Sequence, residues 1–213
     1  MKGRVIKLFV LGVTVALLMV PSLSAQSVEI SPYFGGVFPD SSTVGELKTN
    51  AIWGVRAGFA LDPSFALEAN FGYLNHFEVK GIDPKARGIL WEMSPTYSFA
   101  ERDWALPSSF TPHLAVGIGG ITTRLSEPDR FTFNQFETRQ ILGGPAQTSY
   151  RAIEMSNGDT FFTVSAGGGV KVGAGPVALR GDLRARMLPN YYKSSPIWLE
   201  ATVGISFTIG SRQ

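Results

Sequence analysis

The 213-residue sequence contains no cysteine and only two histidines, His76 and His113. The lack of cysteine excludes a disulfide framework and any metal site built on thiolates. After residue 25 the sequence has no run of 18 consecutive apolar residues, so it offers no membrane-spanning helix. If the chain crosses a membrane, it must do so with β-strands.

The first 25 residues differ from the rest of the chain. Lys2, Arg4 and Lys7 precede the apolar run Leu8–Val20, and the small residues of Pro21–Ala25 follow it. This order predicts a secretory signal peptide over residues 1–25, with cleavage after Ala25. An exported chain without a spanning helix is either soluble outside the cytoplasm or a β-barrel, and we assign residues 26–213 to one domain.

The charge balance gives no indication of a nucleic-acid partner. Removal of Lys2, Arg4 and Lys7 lowers the basic residues from 19 to 16 against 17 acidic residues, a net charge of −1. The isoelectric point near 8.9 of the full sequence therefore comes partly from the signal peptide. No basic surplus remains for a phosphate backbone.

Eight long runs of alternating apolar and polar residues follow residue 25. The last is the clearest, because Leu199 and every second residue up to Ile209 are apolar while those between are polar or small. Such alternation predicts strands, and these are longer than the usual globular strand of about 5–6 residues. The predicted fold is all-β, an eight-stranded antiparallel up-and-down transmembrane β-barrel. The runs are Val28–Phe38, Ala51–Leu61, Phe65–Phe77, Gly88–Ala100, Phe110–Thr122, Thr160–Val172, Pro176–Met187 and Trp198–Ile209.

The connections between the runs alternate in length. Connections one, three, five and seven have ten or more residues, whereas Asp62–Ser64 and Gly173–Gly175 are tight turns and Glu101–Ser109 is also shorter. Long outer loops and short periplasmic turns are the pattern of outer-membrane barrels.

The polar face of the runs distinguishes a membrane barrel from a soluble one, such as a lipocalin, whose polar face is solvated. That face is mostly Gly, Ala, Ser and Thr, which suits the narrow interior of an eight-stranded barrel. Its charges balance, five of each sign, and buried charges must be paired. Hairpin register predicts that Arg56 lies near Glu68 and Arg186 near Glu200. The predicted lumen network comprises Glu29, Arg56, Glu68, Glu92, Lys171, Arg180, Asp182, Arg184, Arg186 and Glu200.

The apolar face carries aromatic residues towards the ends of the runs, where the interfacial girdles of a membrane barrel belong. These residues are Trp53, Phe59, Phe65, Trp91, Tyr97 and Phe99.

Residues 26–213 resemble the small outer-membrane β-barrel family that includes the OmpA transmembrane domain, OmpX and OmpW. The sharpest motif is Thr202–Ile209, which is similar to the C-terminal signal that the barrel-assembly machinery recognises, with Gly204, Phe207 and Ile209 at its key positions. Two features depart from the family: Gly210–Gln213 follow the motif where many members end on Phe, and no peptidoglycan-binding domain follows. The resemblance implies a Gram-negative-type outer membrane, with its lipid and lipopolysaccharide as surroundings and the assembly machinery as a partner during biogenesis.

The sequence predicts no enzyme, no cofactor and no metal site. His76 and His113 face the lumen about 20 Å apart in depth, so they cannot share a metal or a proton. The His-x-Ser pair of barrel lipid A deacylases is absent, since Glu78 and Ala115 stand two residues after the histidines. Gly167–Gly169 lacks the Lys-Ser/Thr of a phosphate loop and indicates close backbone packing.

The connection Thr123–Asp159 is the predicted functional region, because a loop of 37 residues far exceeds an ordinary connection. Arg130–Phe136 alternates, Gly143–Pro145 supplies a turn, and Thr148–Met155 could return as a second strand. Phe131, Phe133 and Phe136 would form a stripe that either caps the barrel or binds a surface partner. In the last loop, Tyr191–Lys193 is predicted to reach the lipid headgroups, with Lys193 near lipopolysaccharide phosphates.

We therefore expect a structural and surface-interaction scaffold that acts through its outer loops. A narrow pore, or a lateral route for a small hydrophobic molecule, is the alternative. A lipid-modifying enzyme is the least favoured reading, because no nucleophile and base can be brought together.

Overall fold

The computed structural model describes residues 27–39, 41–42, 45–46, 49–75, 86–99, 110–125, 130–139, 147–189, 191 and 195–210. The predicted signal peptide, the residues His76, Tyr192 and Lys193, and the predicted turn Gly143–Pro145 lie outside these ranges. Within them, no helix is long and apolar enough to span a membrane.

Twelve strands occur in the described residues, and eight of them form a closed barrel. The barrel order is β1-β12-β11-β10-β7-β6-β5-β4, with every neighbouring pair antiparallel, which confirms the predicted fold class. The strands are β1 Val28–Pro39, β2 Ser41–Ser42, β3 Gly45–Glu46, β4 Asn50–Ala60, β5 Phe65–Leu74, β6 Ala86–Ser98, β7 Phe110–Leu125, β8 Arg130–Arg139, β9 Gln147–Ser156, β10 Thr160–Ala174, β11 Val177–Met187 and β12 Ile197–Ile209. The short pairs β2-β3 and β8-β9 are separate two-stranded sheets.

The stagger of the strands sets the width of the barrel. Following register partners once around the ring from His113 in β7 leads back to β7 at Thr123, ten residues further along the strand. A stagger of this size with eight strands corresponds to a tilt of about 40° and a radius of roughly 8 Å. Long side chains from opposite walls therefore meet near the axis.

The two ends of the barrel differ. The "terminal end" is the end of the barrel where β1 begins and where β12 ends. The "loop end" is the opposite end, which carries the connections after β1, β5, β7 and β11. β7 continues three residues past its predicted boundary to Leu125, because Ala86 of β6 pairs with it there. β5 ends at Leu74, three residues before the predicted boundary at Phe77.

The outer surface of the barrel is apolar. Phe34, Phe71 and Ile118 project outward and are 67%, 57% and 58% exposed. Neighbouring side chains in the strands are inward and buried, so the alternation separates the faces as the sequence predicts. A soluble barrel would reverse this arrangement, and the outer surface is that of a membrane barrel.

Aromatic side chains pack together at both ends of the outer surface. Towards the terminal end, Tyr97 contacts Phe65 and Phe99, with ring centroids 4.9 and 5.1 Å apart. Nearer the loop end, the ring centroids of Trp53 and Tyr73 lie 5.2 Å apart. These contacts are consistent with interfacial girdles.

Candidate functional site

The predicted lumen charges do face the interior of the barrel. Four of them stand on alternate residues of β11, and the others come one each from β1, β4, β5, β6, β10 and β12. Nine of the ten are at most 9% exposed; Glu29, at the terminal end, is half-buried. The four on β11 are Arg180, Asp182, Arg184 and Arg186, and this strand forms the spine of the network.

Arg180 crosses the full width of the lumen. Its Nη1 and Nη2 donate hydrogen bonds of 2.8 and 3.0 Å to Glu68 on β5, which lies opposite β11 in the ring of eight strands. Its Nε and Nη2 also donate to Asp182, at 2.9 and 3.0 Å. This arginine therefore ties two opposite walls together with bidentate bonds, which are among the stronger ion-pair geometries.

Arg56 on β4 reaches a different partner from the one predicted. Its Nη1 donates to Asp182 at 2.9 Å and its Nη2 to Thr202 at 2.9 Å, while Glu200 lies 3.7 Å away. Register places Glu68 diagonally next to Arg56, as predicted, but the Arg56 guanidinium binds Asp182 and Thr202 instead. Glu68 is taken by Arg180, and also lies 3.4 Å from Arg184, because the narrow lumen lets an arginine reach across it rather than along its own hairpin.

Glu92 on β6 connects the charges of the network that lie nearer the loop end. It accepts a hydrogen bond from Arg184 at 2.9 Å and a close one from Arg186, and the Ser165 hydroxyl donates to it at 2.7 Å. Arg186 also donates to Glu200 at 3.1 Å, so this predicted pair is confirmed. The chain of contacts continues unbroken from one side of the lumen to the other.

The terminal end of the network is the most open part. Lys171 donates to Glu29 at 2.7 Å, and their side chains are 11% and 12% exposed. They line a cavity of about 20 Å³ with Ser27 and Asp62, which is room for about one water molecule. The opening at this end is thus a shallow recess.

His113 on β7 is part of the network. Its Nε2 lies 2.9 Å from Oδ1 of Asp182 and 3.2 Å from Nη2 of Arg180, and its ring is buried. Within the described residues, no group of three or more His, Asp or Glu side chains could hold a metal ion. The contacts of His113 are those of a buried histidine with a structural role.

An apolar layer closes the lumen above the charges, at the loop end. Sequence analysis missed this layer, although Val37, Ile52 and Leu90 stand on the same alternating positions as the charges and were the signal for it. Tyr33 joins the two layers, since its hydroxyl donates to Asn70 at 2.8 Å and the Arg56 guanidinium lies 4.1 Å from its ring centroid. The buried members of the layer are Tyr33, Val37, Ile52, Leu74, Ala86, Leu90, Ile121, Leu125, Leu188, Tyr191 and Trp198.

Tyr191 belongs to this apolar layer rather than to the lipid headgroups. Its side chain is fully buried and packs against Phe161 with the ring centroids 4.8 Å apart. Burial raises the pKa of its phenol, which stays neutral at physiological pH. The prediction for Tyr191 is therefore wrong, because Tyr191 is buried with Leu188 in the apolar layer of the lumen.

A β-hairpin forms within the long connection, as the sequence predicts. β8 and β9 pair without interruption from Arg130 opposite Ser156 to Arg139 opposite Gln147. At its base, the Gly158 N–H donates to the Thr123 carbonyl at 2.8 Å, and the Thr123 N–H donates to the Asp159 carbonyl at 2.8 Å.

The regular ladder changes the grouping of the predicted hairpin phenylalanines. Because faces alternate along a strand without a bulge, positions Phe131 and Phe133 share one face of the hairpin and Phe136 stands on the other. A single stripe of all three is therefore wrong.

The predicted assembly motif lies on β12, which closes the barrel by pairing with both β1 and β11. Phe207 and Ile209 face outward and are exposed. Gly204 lies against β1, where an added Cβ would stand 2.4 Å from the Pro32 carbonyl oxygen. Only glycine fits this approach of the two strands without a shift.

Comparison with solved structures places this architecture among known barrels. Neisserial surface protein A matches with 14% sequence identity and a TM-score of 0.57 over 86% of this chain and 97% of that one. The N-terminal β-barrel domain of Pseudomonas aeruginosa OprF matches with 14% identity and a TM-score of 0.47 over 86% and 97% of the two chains. Ail of Yersinia pestis matches with 12% identity and a TM-score of 0.46 over 88% and 100%. Neither a protein-family model nor a curated protein matches the sequence. The chain therefore has the fold of the small eight-stranded outer-membrane barrels.

Proposed function

We propose that this protein is an outer-membrane barrel that serves as a closed, rigid scaffold and presents the β8-β9 hairpin to a partner outside the cell. The loop end is then extracellular and the terminal end periplasmic, as in barrels of this class. The observation that carries the proposal is the contrast between a lumen that is filled and a hairpin that stands apart from the barrel sheet.

The filled lumen favours a scaffold function and argues against a pore function. The Arg180–Glu68 contact spans the lumen from β11 to β5, and the apolar layer closes its loop end. A conducting path would have to pass through both the charge network and the apolar layer. Opening the network would leave buried charges without partners. No catalytic role is proposed, since His113 is engaged by Asp182 and Arg180.

The hairpin has the geometry of a display element. Its two strands of ten residues each extend about 33 Å at 3.3 Å per residue. In the described residues, each strand pairs only with the other, so both outer edges keep backbone donors and acceptors open. Such edges recruit an additional strand from a partner, a common mode of peptide recognition.

Deletion of residues 126–157 tests whether the hairpin is separate from the barrel. The deletion leaves Leu125 next to Gly158, which already donates to the Thr123 carbonyl, so the two strands can still be joined. We expect the shortened protein to insert in the outer membrane and to show heat-modifiable migration like the full chain. If it fails to fold in cells and in detergent, the hairpin is part of the folding unit and the scaffold proposal is wrong.

Trypsin treatment of intact cells tests the orientation in parallel. Arg130, Arg139 and Arg151 supply cleavage sites in the hairpin. We expect cleavage there while the barrel stays heat-modifiable, and no cleavage of the deletion variant at those positions. Cleavage that appears only after the outer membrane is permeabilised would place the hairpin in the periplasm and contradict the proposal.

A further inference from the structure

Two arginines interrupt an outer surface that is otherwise without charge. In the described part of the eight barrel strands, the outward positions are apolar, small or hydroxyl-bearing, except for Arg87 on β6 and Arg124 on β7. Both are exposed. The lumen takes every other charge of these strands, so the placement of these two on the outside needs its own explanation.

The two arginines stand directly opposite each other. Register pairs Arg87 with Arg124 at the loop end of the β6-β7 ladder. The next outward pairs towards the terminal end are Ile89 with Thr122 and Trp91 with Gly120. The arginines therefore mark the boundary at which the apolar outer surface ends.

Hydroxyl groups continue this boundary on the neighbouring strand. Thr160 of β10 pairs with Thr122, and their exposed hydroxyl oxygens lie 2.9 Å apart. The outer surface at this level thus offers two guanidinium groups beside two hydroxyls, directly above Ile89 and Trp91.

Like charges in directly opposite positions repel each other unless an anion lies between them. Among the described residues, no carboxylate forms a salt bridge with Arg87 or Arg124. Guanidinium groups match phosphate oxygens with two parallel hydrogen bonds, so a pair of arginines suits one phosphate group.

We propose that Arg87 and Arg124 together bind a phosphate group on the headgroup of an outer-leaflet lipid. The acyl chains of that lipid lie along the apolar surface below, beginning at Ile89 and Trp91. The depth of the pair favours a lipid over a free anion, because a lipid phosphate stands at this boundary between hydrocarbon and water. This lipid site is on the barrel wall and is independent of the hairpin.

The test uses the full chain refolded in a non-ionic detergent that contains no phosphate. The probes are bisphosphorylated lipid A, the same lipid A with both phosphates removed, and inorganic phosphate. Bound lipid is counted by native mass spectrometry, and stability is measured as the midpoint temperature of heat-modifiable migration. We expect the bisphosphorylated lipid to bind and raise the midpoint, and the dephosphorylated lipid to do neither.

The variant R87Q/R124Q should weaken binding of bisphosphorylated lipid A by about tenfold or more, since it removes the charged donors. R87K/R124K keeps the positive charges but lacks the paired donors of the guanidinium group. Its affinity for bisphosphorylated lipid A should lie between those of the unaltered chain and R87Q/R124Q. M187Q, which adds a polar group at the loop end of β11 on the same outer surface, is the matched control and should bind like the unaltered chain.

Undiminished binding by R87Q/R124Q, or equal binding of the dephosphorylated lipid, would overturn the proposal. An equal rise in midpoint with inorganic phosphate at the same concentration would show a general anion site and would also overturn it. If the double variant does not fold, R87Q and R124Q alone are each expected to lose part of the binding, and the same criteria apply.

Discussion

Arg180 forms more hydrogen bonds than any other described side chain of the lumen. It is fully buried and contacts Glu68, Asp182, His113 and Glu29. A buried ion pair adds little net stability compared with an apolar pair, but removal of one partner leaves the other charge buried alone. The network therefore matters most when a single member is lost.

Arg180→Met should lower the free energy of unfolding by about 3–5 kcal/mol, because Glu68 loses its closest partner and Asp182 loses one of its arginine partners. Lys171→Met is the matched control. Among the described residues, Lys171 forms a salt bridge with Glu29 alone, and Glu29 would still have Arg180 at 3.4 Å as a partner, so we expect a loss of about 1 kcal/mol.

Urea unfolding of both variants in detergent measures the difference between them. Equal losses would show that the cross-lumen contacts of Arg180 have no special weight, against the expectation from its position.

At the scale of elements, the tight turns at the terminal end set the register of their hairpins. In the β4-β5 turn, the Asp62 carboxylate accepts hydrogen bonds of 2.7 Å from the N–H groups of both Ser64 and Phe65. In the β10-β11 turn, Gly175 has a φ of +71°, in the left-handed region that side chains disfavour. Each turn thus holds a residue whose chemistry the local backbone requires.

Gly175→Ala isolates the backbone effect, because an added Cβ at Gly175 meets nothing within 4 Å. The substitution should lower the free energy of unfolding by about 1 kcal/mol through the left-handed φ alone. Gly181→Ala is the control, since Gly181 also has open space around it and its φ is not positive. We expect it to leave stability unchanged or to raise it by up to about 1 kcal/mol.

Thermal midpoints of heat-modifiable migration report both glycine variants. An equal effect of the two substitutions would mean that the turn conformation at Gly175 contributes nothing to stability.

At the scale of the whole molecule, closure of the barrel depends on β12, which pairs with the first strand. β12 pairs with β1 over Val28–Pro39 and with β11 over Val177–Met187. A defect in β12 therefore breaks two ladders at once, and an outward position on this strand can affect assembly as well as stability.

Phe207→Asp should block insertion in the outer membrane of cells, if β12 carries the assembly motif. Phe59→Asp on β4 is the matched control, because Phe59 is a similarly exposed outward phenylalanine near the terminal end. A charge at that depth costs about 1 kcal/mol in a membrane barrel, so both variants should refold in detergent.

The two variants are compared by the fraction of heat-modifiable protein in purified outer membranes. Insertion of Phe207→Asp at the level of Phe59→Asp would show that the end of β12 carries no special assembly role.

The sequence by itself determined the strands, their faces and the location of the charges. Alternation along Trp198–Ile209 separates a face bearing Glu200 and Thr202 from one bearing Val203 and Phe207, whatever the surroundings, because the strand period is two residues. The ten lumen charges were found for the same reason. The hairpin of β8 and β9 was also predictable from its local alternation.

Only the tertiary structure decided which residues meet across the ring. A stagger of ten residues in a barrel of roughly 8 Å radius brings Arg56 to Asp182 and Arg180 to Glu68, and no hairpin register contains that information. The same stagger gathers Ile52, Leu90 and Trp198 into an apolar layer. Alternation acts between neighbours along a strand, whereas contacts across a barrel depend on its closure, and closure is a property of all eight strands together.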